Sequence, residues 1–293
     1  VIDGTLQKEL GAEDKARVLS QALPYIRTYK GHTVVIKLGG EALDDPSHAA
    51  LVASDLALLA LVGIRLVVVH GGGPQVSAAM SEAGLEPTFL GGLRVTDDAA
   101  METVRRVLVG SINSDLVARL CAAGLRAIGL SGADASLLEA VPLNGPAEQS
   151  LGRVGRVASV RAAVLDDLLE NGYTPVVASV APGSDGGFLN INADAAAAAL
   201  ASALHAAKLV YLTNVPGLYA DFGDDGSLLS ELDRERLQAM LPGLSAGMRP
   251  KASSAVDALQ HGVGKVHILD GRVQHALLLE IFTDEGIGTQ VLP

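Results

Sequence analysis

Arg65-Leu66-Val67-Val68-Val69-His70 running into Gly71-Gly72-Gly73-Pro74-Gln75 is the stretch on which the fold turns. A short, β-branched apolar run reads as a buried strand. The proline after it suits the first turn of a helix. Three consecutive glycines lose more conformational freedom on folding than other residues would. An idle turn explains them poorly, and close approach of the backbone to a ligand explains them better. His70 itself reads as a satisfied buried histidine outside the chemistry. The same device stands earlier, where Thr33–Leu38 (TVVIKL) ends in Gly39-Gly40. There N–H groups freed at a strand-to-helix turn could face an anion, with Lys37 adding a full charge; a plain turn with a solvated lysine is the equal alternative.

Working outward, Arg126 to Leu130 and Pro175 to Val180 are further buried-strand runs, and helical patterns lie between them. One covers Ser47 to Val62, capped by Asp44 or Asp45 with Pro46 near the first helical position; another covers Asp98 to Ala123. The second half repeats the rhythm: helix Asp194 to Ala207, strand Lys208 to Thr213, helix Met248 to His261, strand Lys265 to Leu269, helix Val273 to Phe282. Such alternation predicts a mostly parallel α/β sheet. Thr88 to Thr96 and Leu137 to Val160 read as hairpins. Gly-rich Pro182 to Gly187 is the candidate boundary between two lobes. Ahead of the first strand, Val18, Leu19, Ala22, Leu23 and Ile26 fall at helical spacing, and Pro24 kinks that helix. The helix is either a cover for the lobe or an oligomer contact, and the sequence leaves the two even.

The chain has 293 residues, enough for one large or two medium domains. Hydrophobic residues at 49 % give it a packed core, while aromatic content of 3 % and the absence of Trp leave that core to Val, Leu, Ile and Ala. A single cysteine, Cys121, excludes an internal disulfide and points to a reducing cytosol. Apolar stretches such as Leu56 to Val62 fall short of a membrane span. Val1 to Leu10 lacks a signal pattern, and the missing initial Met leads us to expect residues ahead of Val1. A net charge of −11 argues against nucleic acid and anionic membrane as partners. An anionic small substrate then needs cations gathered locally.

Several residues could meet that need. Arg94, in Gly91-Gly92-Leu93-Arg94-Val95-Thr96, can hold a carboxylate by two parallel hydrogen bonds, with a plain surface arginine as the alternative. Asn190 and Asn192 share one side of an extended segment. Asp194 follows at a helix start, where it is either an N-cap or part of a polar site. Lys251 also opens a helix, the end at which a cation is disfavoured unless an anion docks beside it. No G-x-x-x-x-G-K-[ST] and no complete G-x-G-x-x-G is present. Without H-E-x-x-H or paired cysteines, and with His267 and His275 isolated, no dedicated metal site is expected.

Together, KLGG, VVVHGGGPQV, GGLRVT, GLSGAD, NINADAAA, KLVYLTNVPGLY, GMRPK and HILDGRVQHALLLEIFTDEGIGT resemble the amino-acid kinase superfamily in order and over nearly the whole chain. KLGG alone is shared across the superfamily, whereas the combination of GGLRVT, NINADAAA and HILDGRVQHALL is far more specific to its N-acetyl-L-glutamate kinases. That resemblance implies a three-layer αβα sandwich that phosphorylates the side-chain carboxylate of N-acetyl-L-glutamate, the second step of arginine synthesis. The co-substrate is ATP with Mg²⁺, and there is no tightly bound cofactor. It implies a kinked helix in 1–31, an acetylglutamate-binding and dimerising lobe in 32–188 and an ATP-binding lobe in 189–293.

By the same resemblance Lys37 and Lys251 neutralise the transferring phosphoryl group and Asp194 holds both lysines. Gly39, Gly40, Gly71, Gly72 and Gly73 offer N–H donors. Arg94 grips the α-carboxylate, with Asn190 and Asn192 completing the pocket. Thr213, Asn214, Gly217, Leu218, Tyr219 and Met248 frame ATP. Two positions depart from the family pattern: Leu38 stands where many relatives have Tyr, and Asn214 where they have Asp.

VLSQALPYIRTYKG resembles the extra helix of arginine-inhibited members, which assemble as hexameric trimers of dimers. Tyr25, Lys208, His267, Glu280 and Gly286 then fall in the L-arginine pocket. A PII-type signalling protein is the further partner the resemblance leaves room for, and the compartment it implies is the cytoplasm, or the plastid stroma after removal of a transit peptide. The rivals are another carboxylate or carbamate kinase of the same fold, or a non-catalytic arginine sensor.

Overall fold

A computed structural model describes residues 11–39, 45–145, 150–221, 223–283 and 286–293. Its centre is strand β1, Thr33–Leu38, where all but Thr33 and Lys37 are buried. Around it pair β2 (Arg65–His70), β3 (Ala127–Ser131), β4 (Thr174–Ala178), β5 (Lys208–Thr213), β6 (Glu231–Asp233), β7 (Val266–Asp270) and β8 (Thr289–Leu292). The order across this eight-stranded sheet is β6-β8-β7-β5-β1-β2-β4-β3. Every neighbouring pair is parallel except β7 with β8. Both faces of a parallel sheet must be covered, which is why these strands are continuous apolar runs rather than alternating ones.

Successive residues of β1 and β2 feed different layers. Val35, Val67 and Val69 pack into one core with Ala196, Ala197 and Leu200 and with Ala252 and Ala255. Val34, Ile36, Leu38, Leu66 and Val68 pack into the other, with Leu56 and Leu59, Leu116 and Leu120, and Leu277 and Ile281. The helices concerned are α1 (Ala12–Tyr29), α2 (Pro46–Leu61), α3 (Gly73–Glu82), α4 (Asp98–Arg105), α5 (Asn113–Ala122), α6 (Ala163–Glu170), α7 (Ala193–Ala203), α8 (Arg234–Met240), α9 (Met248–Gln260) and α10 (Ala276–Phe282). Helices α6, α7 and α9 lie on the first face, α2, α5 and α10 on the second. This is the three-layer αβα sandwich expected. A four-stranded sheet of Leu138–Asn144, Ser150–Val160, Phe188–Ile191 and Val180–Pro182 stands beside it.

Some elements differ from their sequence patterns. The single helix expected over Asp98 to Ala123 is α4, a π-helical stretch Arg106–Ile112, and α5. A π-turn keeps an apolar stripe locally continuous, so periodicity does not reveal it. The last helix begins at Ala276 rather than Val273, because His275 takes a left-handed φ of 57° and breaks the run. Pro182 to Gly187 is the turn of a hairpin inside the four-stranded sheet, with the Gly183 N–H donating to the Gly187 carbonyl. Of the two proposed caps for α2, Asp45 is the one seen, accepting from the Ser47 N–H; Asp44 lies outside the described residues.

Helix α1 runs through Pro24 to Tyr29 and buries none of its residues. Along its apolar side Val18, Leu19 and Leu23 are 54 %, 70 % and 48 % exposed, while Ala22 and Ile26 are half-buried. Only Tyr29 joins a core cluster. No described helix is long and apolar enough to cross a membrane.

Truncating the middle of β1 tests whether the two cores meet there. Ile36→Ala should cost about 2–5 kcal/mol of unfolding free energy in urea titration, as buried large-to-small changes do. A loss below about 1 kcal/mol would mean that the site collapses freely around the missing atoms.

Candidate active site

Lys37, the one long polar side chain of β1, projects toward the face on which α7 and α9 lie. Its Nζ stands 2.8 Å from Asp194 Oδ1 in the first turn of α7. Lys251, in the first turn of α9, brings its Nζ to 2.9 Å from the same oxygen. Two ammonium groups thus share one carboxylate oxygen in a site where Asp194 and Lys251 are both buried. Burial alone would raise the Asp194 pKa, but Lys37 and Lys251 together draw it down to about 2. Lys251 is pushed down to about 8 by burial, with Asp194 opposing and Lys37 reinforcing that shift. Beneath Lys251 lies the fully buried ring of Tyr211, 4.8 Å from its Nζ, whose hydroxyl donates to the Asp194 carbonyl at 3.3 Å.

Asn192, not Asp194, is the N-cap of α7: its Oδ1 accepts from the N–H groups of Asp194 and Ala195. That frees the Asp194 carboxylate for the lysines and leaves Asn192 only its amide NH₂ to offer a ligand. Lys37 and Asp194 line a cavity of about 220 Å³, and Lys251 lines another of about 490 Å³. The ion triad therefore stands between the two.

The smaller cavity collects Gly71, Gly72, Gly73, Arg94, Asn190 and Asn192. Arg94 is buried, and burial lowers its pKa. Its Nη2 donates to the Gly73 carbonyl and the Ser77 hydroxyl, each at 2.8 Å, and its guanidinium lies 4.7 Å from the Phe89 ring centroid. These partners are neutral, and among the described residues no carboxylate pairs with Arg94. Asn190 donates to Thr96 Oγ1, which in turn donates to the Arg94 carbonyl. Val104, Leu108 and Val154 supply an apolar wall that no sequence motif marks.

Gly39 departs from expectation. Its N–H already donates to the Leu212 carbonyl at 3.2 Å, extending the strand pairing, so that donor is spent. Gly40 lies outside the described residues.

The larger cavity gathers Thr213, Asn214, Gly217, Leu218, Tyr219 and Met248, and also Met240 and Leu244, which sequence reasoning passed over. Gly217 must lack a side chain, since a Cβ there would sit 2.4 Å from Thr289 Oγ1. That hydroxyl accepts from the Leu218 N–H and donates to the Leu229 carbonyl, tying the cavity's rim to β8. Leu38 is buried in the apolar core.

A third cavity, of about 360 Å³, is lined by Tyr25 and Tyr29 of α1 and by Lys208, Glu280 and Gly286. His267 lies behind it, its Nδ1 hydrogen-bonded to Glu280 Oε1. Burial lowers the His267 pKa, against the hydrogen bond to Glu280, which would raise it. The Glu280 carboxyl would be raised by burial, but His267, the Ile287 N–H and Lys208 hold it below its ordinary value. Lys208 is pushed down to about 8 by burial. Among the described residues no group of three or more His, Cys, Asp or Glu side chains is placed to hold a metal.

The amino acid kinase family model matches residues 32–270. An acetylglutamate kinase of Frankia alni is 50 % identical over 283 residues, covering 95 % of this chain and 82 % of that one. One of Acidothermus cellulolyticus is 49 % identical, covering 95 % and 97 %. Among solved structures, N-acetylglutamate synthase of Neisseria gonorrhoeae with coenzyme A and N-acetyl-glutamate superposes with a TM-score of 0.85 at 30 % identity; the match covers 95 % of this chain and 63 % of the synthase. A structure of the same synthase with coenzyme A and L-arginine gives 0.81 at 29 %, covering 94 % and 65 %.

Lys251 sets a pH test of the triad. Its folded pKa of about 8 lies below that of an unfolded lysine, so between the two values the unfolded chain holds a proton the folded chain has released. The stability cost of the buried ammonium is fully present below about pH 8 and is relieved as the pH rises toward about 10. Compared with Lys251→Met in denaturant unfolding, the parent should therefore gain stability across that window. A constant difference would contradict the burial argument.

Proposed function

The chain belongs to the amino acid kinase family, and from that premise we propose that it transfers the γ-phosphoryl group of ATP to the side-chain carboxylate of N-acetyl-L-glutamate. The product is N-acetyl-L-glutamyl 5-phosphate, on the route to arginine. The observation that carries this reading is the Lys37–Asp194–Lys251 cluster between two cavities, one of which holds an arginine with no carboxylate partner among the described residues.

The acceptor carboxylate has an ordinary pKa of about 4.3, so it is already ionised and no general base is required. The difficulty is to bring an anion against a polyanion. ATP occupies the larger cavity with its base against Leu218, Met240 and Met248, and its γ-phosphoryl group reaches the triad. Acetylglutamate occupies the smaller one, its α-carboxylate on Arg94 and its acetyl methyl against the apolar wall. One side-chain carboxylate oxygen attacks the γ-phosphorus, the bond to the β–γ bridging oxygen breaks, and ADP leaves with that electron pair. Lys251 faces the nucleotide and Lys37 the acceptor, so positive charge flanks the phosphoryl group throughout. The N–H groups of Gly72 and Gly73 add donors from the helix start. Mg²⁺ brought in with the nucleotide would supply further charge neutralisation for the phosphates. Asp194 is occupied by its two lysines.

The third cavity suits L-arginine, the amino acid that a solved synthase relative binds. Glu280 would take the guanidinium and Lys208 the carboxylate. Two faces of α1 then serve the same control: Tyr25 and Tyr29 touch the effector, while Val18, Leu19 and Leu23 seat a second copy of the helix and join dimers into a hexamer.

The test is ADP release and hydroxylamine trapping with acetylglutamate, ATP and Mg²⁺. Hydroxamate is expected, and none from folded protein would sink the proposal. Arg94→Ala should raise the acetylglutamate KM about 10- to 100-fold, as loss of a charged hydrogen bond does, and leave the ATP KM within about twofold. Glu280→Gln should keep turnover and raise the arginine concentration for half-inhibition at least about tenfold. Equal inhibition of both proteins would move the effector elsewhere.

A further inference from the structure

His70 closes β2 beside the glycine triplet and is fully buried. Its surroundings determine which ring nitrogen carries the proton. Asn113 Nδ2 lies 2.9 Å from the Val176 carbonyl and 2.9 Å from His70 Nε2. A carbonyl only accepts, so the amide NH₂ must face it, and the second hydrogen of that NH₂ points at His70. Nε2 is therefore a bare acceptor, and the ring proton sits on Nδ1. From there it donates to the Gly71 carbonyl at 3.0 Å. Burial holds the ring neutral, with a pKa pushed down to about 4.

The consequence lies in the peptide that joins Gly71 to Gly72. In a trans peptide the C=O and the following N–H point in opposite directions. A carbonyl turned back onto the buried ring thus sends the Gly72 N–H outward, toward the cavity that Gly72 lines. The other side of the loop is fixed as firmly. A Cβ on Gly72 would meet Ile112 Cδ1 at 2.2 Å and Leu108 Cδ2 at 2.9 Å, both from the π-helical stretch. Asn113 follows that stretch directly, and a Cβ on Gly129 would come within 2.0 Å of its Oδ1. The π-turn therefore delivers both the side chains that press on Gly72 and the amide that sets the tautomer of His70.

We propose that His70 is a positioning residue for phosphoryl transfer: held by Asn113 in its Nδ1–H form, it fixes the Gly71–Gly72 peptide so that the Gly72 N–H is aimed at the transferring group. The inference rests on the kinase reading given above. It concerns kcat rather than ATP affinity, because the larger cavity is lined by other residues.

Three measurements decide it. Nitrogen-15 shifts of His70 at neutral pH in the unaltered protein should show the Nδ1–H tautomer, and an Nε2–H ring would overturn the proposal without any variant. His70→Leu removes the donor and should lower kcat about 10- to 100-fold, less than outright loss of an oxyanion donor, with the ATP KM within about twofold. His70→Asn can place an amide nitrogen near the Nδ1 position and should keep kcat within about fivefold of the parent. A merely structural role would lower stability and leave kcat per folded molecule alone, or would make the Asn and Leu variants equally poor; either result overturns the proposal. Parental turnover in His70→Leu does the same. A parent that forms no hydroxamate would instead refute the kinase reading, while the tautomer measurement still decides the hydrogen bond.

Discussion

One carboxylate oxygen receives two ammonium groups, and much of the molecule is arranged to make that contact possible. Strand β1 supplies Lys37, α7 supplies Asp194 and α9 supplies Lys251, so three separate elements converge at one atom. The alanines of α7 let that helix lie close against the sheet and against α9, which side chains of larger volume would prevent. Breaking a buried ion cluster by removing one member costs about 3–5 kcal/mol, because a charge is left without its counterion. The cluster also carries one positive charge in excess inside a chain of net charge −11. That local excess suits a site meant for two anions.

The rest of the arrangement keeps the two cavities in register on either side of the triad. The hairpin that bears Arg94 reaches the chain leading into α9: a Cβ on Gly92, at φ 83°, would stand 2.9 Å from the Ala246 carbonyl. The element that carries Arg94 therefore rests on the approach to the helix that carries Lys251. Glycine is required there twice over, for the left-handed backbone and for the missing side chain.

The sheet was legible from the sequence because its strands are long apolar runs and its glycine turns are conspicuous. The charged residues were legible as well, since lysine and arginine beside glycine turns are unusual in an acidic, apolar chain. What stayed hidden has a common cause. The π-turn at Arg106–Ile112, the left-handed His275 and the spent N–H of Gly39 are matters of local backbone geometry that leave no periodic trace. The apolar lining of both cavities was hidden for the opposite reason: Val104, Val154 and Leu244 are the residues any core would use. Asn192 was recognised as a polar site residue but not as the cap, because Asn and Asp compete for that position on nearly equal terms.

The absence of Trp leaves the near-ultraviolet absorption and intrinsic emission of the chain to its five tyrosines. Four of them stand at the cavities. Tyr25 and Tyr29 line the third one, Tyr219 lines the larger of the two beside the triad, and Tyr211 lies under the Lys251 ammonium that faces that cavity. Tyr173 alone lies elsewhere, against the Arg126 guanidinium at 3.9 Å. With no indole to absorb their emission by energy transfer, these phenols make the two sites their own optical probes. A change of dielectric or charge at either one enters the spectrum directly, with no label attached.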